Sequence, residues 1–356
     1  MNVFKKIVLF GAALLGTMAG IDLYLQLAEI QTPMETSLDA RLGPSYIPNK
    51  HIIRFSEGFF VGAVNAYGYM GPAVPPRRIG SEKRILLLGD SYVLGHTVLP
   101  RHHFGRYLEE DLNRATGSEF HVLNFGKADS SLENLYQNYR DFAGGFDHDL
   151  ALFFLSQRDL MPWAQSTANL YPEVRVQGNE LVIHRDFQFS AGFRFTKSIE
   201  PVFTRSAALR LAFNAYKVIM QGEWRTVVLD KLSSVIYPEN KDAGPDATPR
   251  VEKLPELKRM ILRELARDPR NVLVIQAPIA SGMLEEVRAS GMPIINLGFY
   301  LETLRSQGVD PYYWPVTGMR GHWNHAAHPL IGRFLADQII SLGLGERRTT
   351  SPAPGK

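Results

Sequence analysis

Residues 84–91 have the sequence Arg-Ile-Leu-Leu-Leu-Gly-Asp-Ser, and this stretch decides the fold of the chain. The uninterrupted apolar run 85–88 is typical of a strand buried on both faces, as in a parallel sheet covered by helices. Gly89 permits a tight turn directly after the strand. We therefore expect Ser91 at or near the start of a helix, at the edge of the sheet where such folds present side chains to ligands.

The same alternation of strand and helix continues along the chain. Leu108 and Leu112 lie one helical turn apart, and Gly117 is suited to end their helix. Repeated units of this kind predict a three-layer α/β/α fold with a central parallel sheet, occupying residues 81–345. We expect strands over 121–125, 150–155, 271–276 and 293–297, and helices over 104–114, 131–142, 254–266 and 329–341.

Three other segments interrupt or flank this pattern. Residues 29–80 contain many prolines, which predicts a loop-like lead-in that lies over the domain. Residues 160–250 predict an insertion over the strand ends, with a hairpin around Gly178 and Asn179 and a helix near 206–220. The polar tail 346–356 is typical of a disordered segment.

The N-terminus has the pattern of a membrane-targeting segment. Lys5 and Lys6 precede an uncharged stretch, 7–21, and Asp22 follows it. A positive flank before an apolar run keeps the lysines on the cytoplasmic side. Residues 1–28 therefore predict an anchor in the inner membrane, with the domain in the periplasm. The alternative is a signal peptide cleaved after Ala19, which would leave a periplasmic or secreted protein.

The composition excludes several kinds of chemistry. The chain has 356 residues and no cysteine, which rules out disulfides, thiolate zinc sites, iron–sulfur clusters, a cysteine nucleophile and a lipidated N-terminal cysteine. Its 39 basic and 36 acidic residues are scattered, so no nucleic-acid footprint is formed. We expect no nucleic-acid partner and no cofactor, and the sequence specifies no oligomeric state.

A second motif lies near the C-terminus, where residues 321–328 read Gly-His-Trp-Asn-His-Ala-Ala-His. His322 precedes the last predicted helix on a loop, from which it could act as the base that a serine nucleophile needs. Taken alone, a serine after a turn more commonly caps a helix, and a single loop histidine commonly has no chemical role. The histidine spacing also suggests metal binding, but no carboxylate accompanies it, and we expect no metal site.

Together the two motifs resemble the SGNH (GDSL-type) hydrolase family, and more closely its membrane-anchored branch of carbohydrate esterases and acetyltransferases. The resemblance covers residues 60–345 and includes three motifs of that family. Gly89-Asp90-Ser91 is similar to the nucleophile block, Asn124-Phe125-Gly126 to the second block, and His322-Trp323-Asn324 to the histidine block.

The resemblance implies a role for each matching residue. Ser91 would attack an ester carbonyl, and His322 would act first as general base and then as general acid. The backbone N–H groups of Ser91 and Gly126 would bind the oxyanion.

Two arginines depart from the family pattern. Arg158 stands where the family has an asparagine that binds the oxyanion; it could donate to the oxyanion, bind an anionic group on the substrate, or pair with Asp159. Arg320 stands where an aspartate normally orients the histidine, and a cation there should lower the pKa of His322. Asp310, earlier in the same loop, is then the candidate acid. We also expect weaker substrate contacts from Asp159, Trp323 and Arg320.

These observations predict a serine esterase that removes small acyl groups, O-acetyl above all, from a carbohydrate or cell-envelope polysaccharide. Its partners would be the acylated glycan or another small ester, and the membrane. One alternative is a polysaccharide O-acetyltransferase that uses the same serine and histidine. A second alternative, suggested by Arg158 and Arg320, is a catalytically impaired protein that binds or assembles glycans.

Overall fold

The computed structural model describes residues 3–27, 34–162, 170–220 and 253–343. The chain divides into two compact units. The anchor unit comprises residues 1–34 and 195–250, and the sheet unit comprises residues 35–194 and 251–356. The predicted disordered tail, 346–356, lies outside the described residues.

The strands within the described residues follow in chain order. They are β1 (Thr36–Asp39), β2 (Gly43–Tyr46), β3 (His51–Phe55), β4 (Phe59–Ala63), β5 (Lys83–Leu88), β6 (Phe120–Asn124), β7 (Leu150–Leu155), β8 (Glu173–Gln177), β9 (Glu180–His184), β10 (Asn271–Ile275), β11 (Ile294–Asn296), β12 (Tyr313–Trp314) and β13 (Met319–Arg320).

The helices follow the same order. They are α1 (Val3–Leu27), α2 (Ser91–Leu94), α3 (Phe104–Thr116), α4 (Leu132–Asp141), α5 (Gln157–Leu160), α6 (Ala191–Arg205), α7 (Ala207–Met220), α8 (Glu256–Leu265), α9 (Ser281–Arg288), α10 (Leu297–Ser306) and α11 (Ala327–Ser341). Short 3-10 turns lie at Pro100–His102, Ala143–Gly145 and Asp186–Phe189.

The centre of the sheet unit is a five-stranded sheet with the order β11-β10-β7-β5-β6, in which every pairing is parallel. Side chains of β5 alternate between its two faces, as the strand period requires. Leu86 and Leu88 join the core formed with α4, α8 and α9, whereas Ile85 and Leu87 join the core formed with α3, α10 and α11. The predicted three-layer α/β/α fold is therefore confirmed.

The lead-in is more ordered than its prolines suggested. Instead of a loop, its described part contains two antiparallel hairpins, β1–β2 and β3–β4. Pro44 lies within β2, in a two-stranded sheet where the missing N–H is tolerated. The prediction of a loop-like segment was wrong because these strands are short, only partly buried and flanked by prolines and other turn residues, which dominate the local sequence pattern.

The predicted insertion, 160–250, is divided between the two units. Its hairpin is confirmed as β8–β9, and Gly178 at the turn has a φ of 62°, in the left-handed region that favours glycine. Its helix is confirmed as α7, which belongs to the anchor unit. The described part of this segment, residues 195–220, thus belongs to the same unit as the N-terminal helix, a pairing that local sequence patterns do not reveal.

In the anchor unit, α1 has 25 residues and a mean hydropathy of 1.8 over its most apolar window. Among the described helices it alone is long and apolar enough to cross a membrane. A signal sequence can have the same length and apolar composition.

Candidate active site

Ser91 lies where β5 ends and α2 begins. A Cβ atom on Gly89 would stand 2.3 Å from Val93 Cγ2, so only glycine permits this close turn. Asp90 then caps α2, because its Oδ1 accepts the Tyr92 N–H at 2.9 Å and its Oδ2 accepts Gln276 Nε2 at 3.0 Å. These contacts fix the backbone on which the Ser91 hydroxyl is presented at the edge of the sheet.

His322 connects Ser91 to a carboxylate. Its Nε2 lies 2.8 Å from Ser91 Oγ, and its Nδ1 lies 2.9 Å from Glu57 Oε1. With Nδ1–H donated to the carboxylate, Nε2 is the nitrogen that accepts the Ser91 hydroxyl. The Tyr92 ring packs against the imidazole with 4.7 Å between ring centroids. The arrangement is a serine–histidine–acid triad in which each neighbouring pair is within hydrogen-bond distance.

Glu57, which sequence reasoning missed, lies in the loop between β3 and β4. Ser56 Oγ donates to Glu57 Oε2 at 2.6 Å, and Thr317 Oγ1 donates to the Glu57 backbone carbonyl at 2.9 Å. Burial by itself raises the pKa of Glu57, but hydrogen bonds from Ser56, from its own backbone and from His322 outweigh it and hold that pKa below its ordinary value. Glu57 is therefore ionised at neutral pH.

Asp310, the acid expected from the sequence, contacts other groups. Its Oδ2 lies 2.7 Å from Arg320 Nη2, and its Oδ1 accepts the Tyr312 N–H at 3.0 Å. The orienting position at His322 Nδ1 is occupied by Glu57, so the prediction for Asp310 was wrong. The ion pair also gives Arg320 a local countercharge.

The loops that present Glu57 and His322 interlock through two glycines. A Cβ atom on Gly321 would stand 2.2 Å from Glu57 Oε1. A Cβ atom on Gly58 would stand 2.4 Å from the Trp314 ring and 2.2 Å from the Thr97 carbonyl oxygen. Trp314 Nε1 in turn donates to the His322 carbonyl at 2.9 Å. The distance between acid and histidine therefore depends on close contacts that only glycine allows.

Gly126, predicted as an oxyanion donor, has its N–H engaged elsewhere. That N–H donates to Asn124 Oδ1 at 2.9 Å, so this structure does not offer it to an oxyanion. The glycine is needed for packing instead, since a Cβ atom there would lie 2.4 Å from the Leu94 backbone nitrogen in α2.

Arg158 is at the start of α5, directly beyond the end of β7, with its guanidinium largely exposed. Its Nη2 lies 3.7 Å from Asp129 Oδ1. Burial raises the pKa of Asp90, and the positive charge of Arg158 is among the influences that oppose this rise. The guanidinium therefore acts electrostatically on the residue next to the nucleophile.

Two predicted substrate contacts are buried. Asp159 caps α5, because its Oδ2 accepts both the N–H and the hydroxyl of Ser156 at 2.7 Å. Burial, together with the charge of Asp90, raises the pKa of Asp159 to about 7. Trp323 is 1% exposed and packs against the ring of Tyr92. Neither side chain can contact a substrate, so these two predictions were wrong.

The other two histidines of the C-terminal motif face separate neighbours. His328 Nδ1 accepts the Phe104 N–H at 3.0 Å, and the His325 ring lies 4.5 Å from that of His102. Within the part of the chain that the structure describes, no group of three side chains is placed to hold a metal ion.

Comparison with known proteins gives likenesses of structure at low sequence identity. No protein-family model and no curated protein matches the sequence. The lipase/acylhydrolase from Enterococcus faecalis is 14% identical with a TM-score of 0.38, over 76% of this chain and 100% of that one. The acetyl xylan esterase AlAXEase is 11% identical with a TM-score of 0.35, over 73% and 98% of the two chains.

A third similar structure is a member of the lipolytic protein G-D-S-L family from Veillonella parvula DSM 2008. It is 11% identical with a TM-score of 0.30, over 73% of this chain and 97% of that one. At such values, the function of the present chain has to be inferred from its own side chains.

Proposed function

We propose that this chain is a serine ester hydrolase whose nucleophile is Ser91. The observation that carries this proposal is the hydrogen-bonded series Ser91–His322–Glu57. His322 Nε2 would take the hydroxyl proton while Ser91 Oγ attacks the ester carbonyl carbon. Collapse of the tetrahedral intermediate would return that proton to the departing alcohol and leave an acyl group on Ser91. Water, deprotonated by His322, would then release the acid.

Glu57 and the oxyanion donors have supporting roles in this scheme. The Glu57 carboxylate would hold the Nδ1–H tautomer and stabilise the imidazolium that forms when His322 accepts the proton. The Ser91 N–H and the Arg158 guanidinium are the proposed donors to the oxyanion. Loss of one such donor typically costs about 3–4 kcal/mol of transition-state stabilisation.

We propose a small acyl group, O-acetyl on a carbohydrate or cell-envelope polysaccharide, as the part removed. A cavity of about 370 Å³ in the sheet unit is lined by Phe60, Leu94 and Val122 among others, but by neither Ser91 nor His322. That cavity is therefore not assigned to the ester, and the small acyl group is proposed from the resemblance of the Ser91 and His322 motifs to those of carbohydrate esterases. As the alternative to its oxyanion role, the exposed guanidinium of Arg158 would bind an anionic group on the sugar.

The N-terminal helix supports a location at the inner membrane. With Lys5 and Lys6 on the cytoplasmic side, α1 would place the rest of the chain in the periplasm. Cleavage after Ala19 would instead release the protein from the membrane.

An acetyltransferase would use the same acyl-enzyme and differ only in whether water or a sugar hydroxyl attacks it. Acetate release and acceptor acetylation should be measured together, with an acetylated oligosaccharide as donor and an unacetylated one as acceptor. We expect acetate as the main product and no activity from Ser91→Ala. Predominant acetylation of the acceptor would indicate the transferase. Equal acetate release by the parent and Ser91→Ala would contradict the proposed nucleophile.

A further inference from the structure

The only acidic residue of α1 is bound to the start of another helix of the anchor unit. Asp22 Oδ1 accepts the Ser206 hydroxyl at 2.8 Å and the Ala208 N–H at 2.8 Å, so it caps α7 from a distant part of the chain. One turn further along α1, Gln26 Nε2 donates to the Arg205 carbonyl at 2.9 Å. The C-terminal end of the apolar helix is therefore attached to residues 205–208.

The position of Asp22 along α1 determines how deep this contact lies. The uncharged stretch 7–21 has 15 residues, which as a helix extends about 22 Å. The hydrocarbon core of a bilayer is about 30 Å thick. If Lys6 is at the cytoplasmic boundary, Asp22 lies at or just inside the opposite boundary, where a carboxylate without partners is costly. The Ser206 hydroxyl and the Ala208 N–H provide hydrogen-bond partners for this carboxylate. The start of α7 therefore lies at the same membrane depth as Asp22.

The outer surface of α6 and α7 has the composition of a membrane interface. Val202 on α6 is 52% exposed, and Tyr216 on α7 is 58% exposed. Phe203 and Phe213 join the two helices, with 5.4 Å between their ring centroids. Arg205 adds an exposed cation between the helices. Apolar side chains interspersed with tyrosine and basic residues are typical of helices that lie in the headgroup region.

We infer that residues 195–216 are a second membrane-contacting element, which lies in the lipid headgroup region of the outer leaflet. The partner is a lipid surface, because the same helices are joined to α1 at the depth where that helix leaves the hydrocarbon. This inference goes beyond ester hydrolysis and does not depend on it. It requires that α1 stays attached to the mature protein.

The absence of cysteine makes a direct test possible, because an introduced cysteine is the only labelling site. Full-length Tyr216→Cys and Val202→Cys would carry an environment-sensitive fluorophore in vesicles of phosphatidylcholine and phosphatidylglycerol. Spin-labelled lipids with the quencher shallow or deep in the acyl chains then report depth. Leu15→Cys in the middle of α1 is the deep reference, and Ile79→Cys, an exposed apolar position of the sheet unit, is the aqueous reference.

We expect the labels at 216 and 202 to be quenched several-fold more by shallow than by deep spin labels, and the label at 15 to show the reverse. The label at 79 should respond only to aqueous iodide. The inference is overturned if positions 216 and 202 behave like position 79, or if they are shielded from both lipid and iodide, as in a protein interface. Loss of residues 1–19 from the mature chain would also overturn it. Reporters on two helices keep the test valid if one variant does not fold.

Discussion

Both ring nitrogens of His322 are engaged by residues far away in the chain. Ser91 is 231 positions away, and Glu57 is 265 positions away. The motifs around Ser91 and His322 predicted those two residues, because their local sequence resembles the motifs of a known hydrolase family. Glu57 carries no such pattern, and its role follows only from the packing of the β3–β4 hairpin against the histidine loop. The same packing explains why Asp310, closer in sequence, is not the acid.

Replacement of Glu57 by glutamine should lower kcat by roughly 10²- to 10⁴-fold, with KM little changed, because the amide cannot stabilise the imidazolium. The measurement is steady-state hydrolysis of a small acetyl ester. Asp310→Asn is the matched control and should retain most activity, since Asp310 pairs with Arg320. A larger loss in Asp310→Asn than in Glu57→Gln would contradict the assignment of the acid.

The buried carboxyl group of Asp159 should make stability depend on pH. Its pKa is raised to about 7 in the folded protein by burial and by Asp90, whereas an aspartate in the unfolded chain titrates near 4. The folded state thus binds this proton more tightly, so its contribution to stability is full below about pH 4 and is lost as the pH rises towards 7.

Asp159→Asn keeps an oxygen that can accept the Ser156 N–H and removes the charge. We expect it to raise the melting temperature at pH 8, through stabilisation on the order of 1 kcal/mol or more, and to change it little at pH 4. Thermal unfolding at the two pH values is the measurement. If the variant is less stable than the parent at pH 8, the buried negative charge of Asp159 is not the main factor that destabilises the folded protein at that pH.

At the scale of elements, the proposed active site depends on two hairpins. The β3–β4 hairpin presents Glu57, and the β12–β13 hairpin leads into the loop of His322. Buried strands such as β7 were predictable from their apolar runs, and the predicted bounds 150–155 agree with the structure. The β3–β4 and β12–β13 hairpins were not predictable, because their strands are short and half-exposed, and because their packing partners are distant in sequence.

Gly321→Ala should displace Glu57, since the added Cβ would stand 2.2 Å from Oε1. We expect a loss of activity of roughly 10- to 100-fold, because a shift of about 1 Å in a catalytic group can cost that much. Gly145→Ala is the matched control, as a Cβ there meets nothing within 4 Å. Both variants should be assayed for ester hydrolysis and for melting temperature. If Gly321→Ala is as active as Gly145→Ala, the glycine does not set the position of the acid.

At the scale of the whole molecule, the chain combines a sheet unit that holds the triad with an anchor unit that holds α1. Buried apolar runs in the sequence predicted the parallel sheet of the sheet unit. The lysine-flanked apolar stretch predicted the N-terminal helix of the anchor unit. The inclusion of residues 195–220 in the anchor unit was not predictable, because the Asp22 contact with Ser206 joins segments 184 positions apart.

A retained anchor should make the protein resistant to extraction from membranes. We expect it to remain in the membrane pellet after alkaline carbonate and to be released by detergent, because α1 would bury its apolar surface in lipid. Deletion of residues 1–27 provides the control and should shift the protein to the soluble fraction. Release of the full-length protein by carbonate alone would favour signal cleavage.

The most direct test of the triad is covalent labelling of Ser91 with a fluorophosphonate, which reacts with an activated serine hydroxyl. Peptide mass spectrometry after labelling should locate the phosphonyl group on Ser91 in the parent. Labelling should be slower in Glu57→Gln and absent in Ser91→Ala. A parent protein that is not labelled, or a Ser91→Ala variant labelled at the same rate, would contradict the account of a serine ester hydrolase.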